Sequence, residues 1–257
     1  GVGIYYFDVE RNLIQEKAFI PSKKSYAIAA DELGKMVYYN HAEEQLYVLA
    51  DGTLYQVDLK KNKQTTLAEN LKEGQYAVSG DGHLMAYESE GNKKGGTEIQ
   101  VMNLSSLHTY IVEAAEGEQI SPLGFVNGDF IYGKMKSEDA GKKASGESIT
   151  PMYELEIRNS KNKKVASYSF VDKGIYISDI LIDDNMVTLN RVEKSGDIYN
   201  VTSQEFITNN EERKDTAIKT EVYTTVLMEK QMRITFAEGA GEKSVKVIRP
   251  NQLASKN

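Results

Sequence analysis

An all-β fold is predicted for this chain by three observations: apolar residues alternating at period two, turn chemistry breaking that pattern roughly every eight to twelve residues, and a composition suited to sheets. Residues 53–59 (TLYQVDL) place Tyr55, Val57 and Leu59 on one face and Leu54, Gln56 and Asp58 on the other. Residues 153–157 (YELEI) send Tyr153, Leu155 and Ile157 inward and Glu154 and Glu156 outward, and 164–171 (KVASYSFV) send Ala166, Tyr168 and Phe170 to one side. Successive side chains leave opposite faces of a pleat, so this alternation marks strand. The breaks are Asp51-Gly52, Gly80-Asp81-Gly82, Asn127-Gly128-Asp129 and Asp183-Asp184-Asn185, built from residues that enter left-handed backbone most readily. Sixteen Tyr and only four Pro suit a sheet protein. Two stretches, 10–18 (ERNLIQEKA) and 221–232 (EVYTTVLMEKQM), have helix-forming composition, but the second is rich in β-branched residues and reads mainly as strand.

A repeat organises these strands. Four times a short turn precedes an apolar strand: Asp31…Gly34 before MVYY (36–39), Ser79…Gly82 before LMAY (84–87), Asn127-Gly128 before FIYG (130–133), and Asp183…Asn185 before MVTL (186–189). After the middle two come further strands, 98–104 then 108–113, and 153–159 then 164–170. The last interval is lengthened by residues 136–150 (KSEDAGKKASGESIT), a polar insertion expected as a solvated loop. A unit of about 40–50 residues holding four short antiparallel strands is the signature of a β-propeller blade. One such sheet has two apolar faces, and only stacking on neighbours buries both. The expectation is a single propeller-like domain over residues 1–257, of about five four-stranded antiparallel blades, as a whole or an incomplete or trimmed ring. Residues 26–70 hold five strand candidates, the extra one being assigned to the Asp51-Gly52 hairpin. Residues 3–19 read as the tail of a blade completed by strands 231–236 and 244–249, and Gln252–Asn257 as a frayed polar tail.

The segment 77–104, AVSGDGHLMAYESEGNKKGGTEIQVMNL, resembles the repeat of TolB-type and dipeptidyl-peptidase-IV N-terminal-type (WD40-like) β-propellers. Ser79-Gly80-Asp81-Gly82 stands where that repeat has its Ser-Pro-Asp-Gly turn, and Val101-Met102-Asn103-Leu104 where it has a Met-Asp-Leu-like triplet. Gly80 replaces the Pro, and the Trp common before the turn is missing. The resemblance is good over this repeat, fair over 26–70 and 121–171, and it speaks to fold far more than to function.

Charge and composition exclude several function classes. Thirty-one basic against thirty-eight acidic side chains give a formal charge of −7, which argues against general nucleic-acid binding and against docking on anionic lipid. No Cys is present, so disulfides, zinc–thiolate sites, iron–sulfur clusters and thiol nucleophiles are ruled out. No apolar run of about eighteen residues is long enough to span a bilayer. The chain opens at Gly1, without Met and directly into a strand, which reads as a boundary trimmed from a longer protein; a leader, an anchor or more domain is the expected missing piece.

The search for chemistry yields no catalytic, cofactor-binding or metal-binding residue. There is no G-x-S-x-G elbow, and the lone S-x-x-K, Ser160 to Lys163, sits in a polar turn. His41, His83 and His108 lack partners at metal-ligand spacing and read as surface or strand-edge residues, while Asp183 and Asp184 read as a turn. Glycosidase chemistry would need carboxylates around an axial funnel, whereas Asp31, Asp81, Asp129 and Asp183 are expected in rim turns. Gly95-Gly96 has no phosphate-loop context, Tyr5-Tyr6-Phe7 and Tyr38-Tyr39 read as packing between blades, and the Lys-rich turns 60–63 and 161–164 read as solvated charge. The sequence therefore points to a non-catalytic, extracytoplasmic binding or scaffold module of a bacterial cell envelope, recognising a protein or glycan. The alternative is the regulatory propeller of a larger peptidase or glycosidase whose catalytic part lies outside this chain.

Overall fold

The computed structural model describes residues 1–89, 96–183, 185–208 and 250–255, together with the backbone of 218–224 and 230–236. Strands dominate, as the alternation predicts. β1 (Val2–Asp8) and β2 (Leu13–Ile20) form an antiparallel hairpin, so the helix-forming composition of 10–18 is overridden. After helix α1 (Tyr26–Lys35), β3 (Val37–Asn40), β4 (Gln45–Ala50), β5 (Thr53–Asp58) and β6 (Lys63–Ala68) make a four-stranded meander. A second meander follows from β7 (Tyr76–Val78), β8 (Leu84–Glu88), β9 (Glu98–Asn103) and β10 (Thr109–Glu113). Then come β11 (Glu118–Val126), β12 (Asp129–Lys136), the short pair β13 (Gly141–Lys143) and β14 (Ser148–Ile149), β15 (Met152–Arg158) and β16 (Lys164–Ser169). β17 (Ile175–Asp183), β18 (Met186–Ser195), β19 (Ile198–Val201) and β20 (Glu205–Thr208) complete the main body. β21 (Ile218–Thr224) and β22 (Lys230–Phe236) form an antiparallel pair with, among the described residues, no further strand, and β23 (Gln252–Ala254) closes the described chain.

The sheets stack in sequence order, and in the inner strands alternate residues go to different cores. In β8, Met85 and Tyr87 pack against Tyr47, Leu49 and Leu54 of the preceding meander. Leu84 and Ala86, on the opposite face, pack with Ile120, Phe130 and Tyr132 of the following one. In β4, Tyr47 and Leu49 face the β7–β10 sheet while Val48 and Ala50 face Ile4, Ala18 and Ile20 of the first hairpin. Ile131, Leu155 and Ile157 face Ile177, Val187 and Leu189. Among the described residues three cores thus sit between successive sheets, and a fourth lies inside the β11–β20 region, between its β11–β16 and β17–β20 parts. An isolated two-stranded hairpin is marginal in water, whereas each fully buried Leu, Ile or Val adds about 1.5–3 kcal/mol, so stacking outweighs any local pairing as the source of stability. This is an all-β, incomplete propeller-like architecture. The faces assigned from 53–59 and 164–171 hold: Tyr55, Val57 and Leu59 join one core and Leu54 the other, and Ala166, Tyr168 and Phe170 share a side.

Four expectations are corrected. The extra strand candidate in 26–70 is α1, not the Asp51-Gly52 hairpin, and Asp31…Gly34 is its last turn. Tyr26–Lys35 is rich in Ala with Leu, Glu and Lys, strong helix formers, and Asp31 pairs with Lys35 four residues on. The insertion 136–150 is an ordered hairpin: β13 lies parallel to β19, with Lys142 opposite Ile198 and Lys143 opposite Tyr199. Its anchor is Asp139, buried although charged, whose Oδ1 accepts from Tyr176 (3.0 Å) and Lys194 (3.3 Å) and whose carbonyl accepts from Tyr199 (2.7 Å). The tail is not frayed throughout, because β23 pairs parallel to β2, Leu13 opposite Gln252 and Gln15 opposite Ala254. That strand, rather than β22, joins the first hairpin; the expected strand 244–249 lies outside the described residues. Finally, the blades are not all separate: Met152 opposite Ile177 links β15 to β17, so the β11–β20 region is hydrogen-bonded as one ten-stranded sheet.

The hairpin turns follow their residues. Asp51 and Gly52 have φ of 53° and 71°, and Asn127 and Gly128 have 50° and 82°, the pairs of left-handed residues that a tight primed turn needs. A Cβ on Gly52 would lie 2.7 Å from the Leu71 carbonyl oxygen, so this position also needs glycine for space. Between sheets, the buried Asn40 donates from Nδ2 to the carbonyls of Leu104 (2.8 Å) and Ser105 (2.9 Å) and accepts from the Glu43 amide (3.2 Å).

Replacing Asn40 by Ala leaves two carbonyls at a sheet interface without their donor and is expected to cost about 1–3 kcal/mol, read as a lowered urea midpoint. Asp139→Ala is expected to free the 141–149 hairpin, so that limited trypsin cleavage at Lys142 or Lys143 accelerates while the urea midpoint moves much less; unchanged cleavage would contradict the anchoring role.

Candidate functional site

A groove of about 320 Å³ lies between the β7–β10 sheet and the β11–β16 region. Its apolar floor is Leu84, Val101 and Phe125, the outer lip of the core shared by these sheets. Its walls are two turns. In the β9–β10 turn, Asn103 Oδ1 accepts from the amides of Ser105 (3.0 Å) and Ser106 (2.9 Å). Leu107 follows at φ 61°, a left-handed conformation that a bulky L-residue enters at a cost of about 1–3 kcal/mol. In the β15–β16 turn, Asn159 Oδ1 accepts from the amides of Lys161 (3.0 Å) and Lys163 (3.1 Å), and Asn162 takes φ 56°.

Two hydrogen bonds clip these walls together: His108 Nε2 to the Ser160 carbonyl, and Asn162 Nδ2 to the Ile111 carbonyl, both 3.1 Å. A carbonyl only accepts, so His108 carries its proton on Nε2. The turn is held from behind by an ion cluster built on the buried Glu156. Arg158 Nη1 donates to the Asn162 carbonyl and Oδ1 (3.1 Å each), and Arg158 Nε reaches Glu156 Oε1 (2.7 Å). Glu156 is 2% exposed and also meets Lys134 at 2.6 Å. Burial alone pushes its carboxyl up; the bonds from Lys134 and Tyr132 and the charges of Lys134 and Arg158 outweigh this and hold it below the ordinary carboxylate range. Burial first, then the bond to Glu156, pushes Tyr132 up to about 12. Tyr110, on the groove wall, is also at about 12, chiefly through burial.

The sequence reading placed Glu154 and Glu156 outward; both turn away from Leu155 and Ile157, but toward Lys134 on the adjacent strand β12, where Glu156 is buried and Glu154 half-buried. The available signal was Lys134 on β12, directly opposite Glu154 on β15 and reaching Glu156 on the same face, a charge-complementary cross-strand pattern. Of the other candidates, Ser160 and His108 meet in the groove, through the Ser160 carbonyl and not its hydroxyl, and the S-x-x-K stretch is the expected turn. Lys161 lines the groove and Lys164 pairs with Glu154, so 161–164 is more than solvated charge. Asp31 lies in α1, while Asp129 begins β12 and Asp183 ends β17, so both flank the turns assigned to them. Asp81 accepts from Ser79 Oγ (2.7 Å) and His83 Nδ1 (2.5 Å); burial raises its carboxyl, and these two bonds bring it below its usual range. His41 stacks edge-on with Tyr39 in the β3–β4 turn. Asp184 and Gly95 lie outside the described residues. Tyr5, Tyr6 and Tyr39 are exposed rather than packed between sheets; Tyr47, Tyr87, Tyr132 and Tyr199 fill the interior instead. No group of three acidic, His or Cys side chains fit to hold a metal occurs among the described residues.

No family model matches the chain, and no curated protein does. Among solved structures it is similar to the β-propeller domain of the trilobed protease from Pyrococcus furiosus, with 11% identity over 79% of this chain and 64% of that one, TM-score 0.35. It is also similar to Porphyromonas gingivalis dipeptidyl peptidase 4 (10% identity, 93% and 47%, TM-score 0.28) and to U3-55K (9%, 69% and 52%, TM-score 0.33). The chain thus spans about half the length of the last two. With TM-scores below 0.5 these likenesses carry no weight of their own; the class, an all-β chain of stacked propeller-like blades, is defined by the sheet order and the cores shared between sheets.

Removing one member of the buried cluster strands the others. Glu156→Ala is expected to cost about 3–5 kcal/mol in urea unfolding. Because the folded carboxyl is held low, its contribution is complete above the ordinary carboxylate pKa of about 4.3 and disappears as pH falls through the depressed folded value. Glu156→Gln should therefore flatten the acid-side slope of stability against pH, and an unchanged slope would contradict the assignment.

Proposed function

We propose that this chain is a non-catalytic binding module that takes a protein or glycan partner in the groove between the β7–β10 and β11–β16 sheets. The observation that carries the reading is the groove's construction: a ready-made apolar floor, Leu84, Val101 and Phe125, walled by turns that cross-sheet bonds hold in place. Concave, largely apolar sites with a few fixed polar groups are what binding surfaces require. The polar groups on its walls are the Asn103 amide, the hydroxyls of Ser106, Tyr110 and Ser160 and the Lys161 ammonium, and His108, the one imidazole lining it, is engaged as a clip. The Ser79-Gly80-Asp81-Gly82 repeat supports a TolB-type ancestry within this proposal, and an extracytoplasmic setting belongs to it as well.

The test plugs the groove. Ser106→Trp places a large side chain at an exposed position of its wall, without disturbing a core. Wild-type chain is expected to retain partners in pull-downs from envelope extracts or on a glycan array, and Ser106→Trp to lose them. Equal capture by both proteins would place binding elsewhere and overturn the reading.

A further inference from the structure

We propose that the groove selects an acidic peptide segment, seating one apolar side chain on its floor beside Asp or Glu residues that meet Lys161 and Lys163. The inference rests on the groove being the binding site and names the chemistry of the occupant. Three observations carry it. First, several acceptors on the walls are already used: Asn103 Oδ1 by two amides, the Ser160 carbonyl by His108, and Ser106 Oγ by the His108 amide (3.4 Å). The Asn103 Nδ2 group and the Lys161 ammonium add donors beside them, so the walls offer partners to an acceptor-rich ligand.

Second, the lip is locally cationic in a chain of net charge −7. Residues 158–164 (RNSKNKK) hold four cations and no acid. Arg158 is committed to Glu156, and Lys164 to Glu154 and Glu156. Lys161 and Lys163 have no acidic partner among the described residues, and the nearby acids Glu154 and Glu156 are already occupied by Lys134, Arg158 and Lys164. Third, about 320 Å³ is at the small end of ligand sites, roughly ten waters' worth, so it admits one large side chain and leaves the flanking residues at the charged lip.

The experiment is fluorescence polarisation with a labelled peptide, Gly-Asp-Glu-Phe-Asp-Glu-Gly, and its Asn/Gln counterpart, against the whole chain, Ser106→Trp, and Lys161→Glu/Lys163→Glu. The two lysines are on the surface, so the charge-reversed variant should fold, with Lys23→Glu as a remote surface control. The expected result is tighter binding of the acidic peptide, weakened by added salt and reduced about tenfold or more by the double reversal, with Lys23→Glu unaffected. Equal binding of both peptides, or binding insensitive to the double reversal, overturns the acidic selectivity while leaving the groove reading intact. Binding of a glycan but of neither peptide, lost in Ser106→Trp, does the same. Acidic-peptide binding that survives Ser106→Trp overturns both.

Discussion

The constraint that everything else in this structure answers to is that a sheet with two apolar faces cannot stand alone in water. Leu84, Met85, Ala86 and Tyr87 are consecutive and all buried, two on each face of β8, and the same holds for Tyr47 to Ala50 in β4. Such a strand can be satisfied only by a neighbour on either side. The chain meets that demand by laying down sheets in order, each covering the last, so that removing one sheet would expose the faces of two others. Cross-sheet bonds such as that of Asn40 set how the layers are rotated and spaced, but the driving force is apolar burial.

The groove is a by-product of that stacking, made specific by charge. Where the third and fourth sheets diverge at one end, the core they share opens, and its outermost residues become a floor. What turns an opening into a shaped site is the chain of contacts from Glu156 through Arg158 and Asn162 to Ile111, which fixes the β15–β16 turn against β10. A buried carboxylate flanked by two cations is a poor source of net stability, since desolvation offsets most of the attraction. It is a good source of position, because each partner loses heavily if the others move. The strained Leu107 at the opposite wall fits the same pattern of stability surrendered locally at a site whose geometry is imposed from around it.

Most strands were legible because the period-two alternation and the Asx-Gly turns are local signals. MVYY, LMAY, FIYG and MVTL, and the pairs that follow them, appear as β3, β8, β12, β18 and their neighbours. What escaped was set by partners distant in sequence. Asp139 looks like any acid in a polar insertion, and only Tyr176, Lys194 and Tyr199, from 37 to 60 residues away, make it an anchor. Glu156 alternates correctly with Leu155 and Ile157, yet alternation states which face it shares and not what covers that face. α1 was misread for a different reason: Asp31 and Gly34 carry turn chemistry, and it outweighed the helix-forming run of alanines before them. The groove itself depends on His108 and Ser160, 52 residues apart, and no local pattern announces their meeting.

The parallel pairing of β23 with β2 bears on the order in which the molecule assembles. Its three residue pairs join segments roughly 240 positions apart. Closing a flexible loop of that length from the unfolded chain costs about 5 kcal/mol in entropy, more than a three-residue ladder returns. The contact becomes affordable only after the intervening meanders have condensed and drawn the two segments near. The first hairpin and the last strand should therefore be the latest contact to close during folding and the earliest to part on mild destabilisation, a seam in the molecule rather than its nucleus.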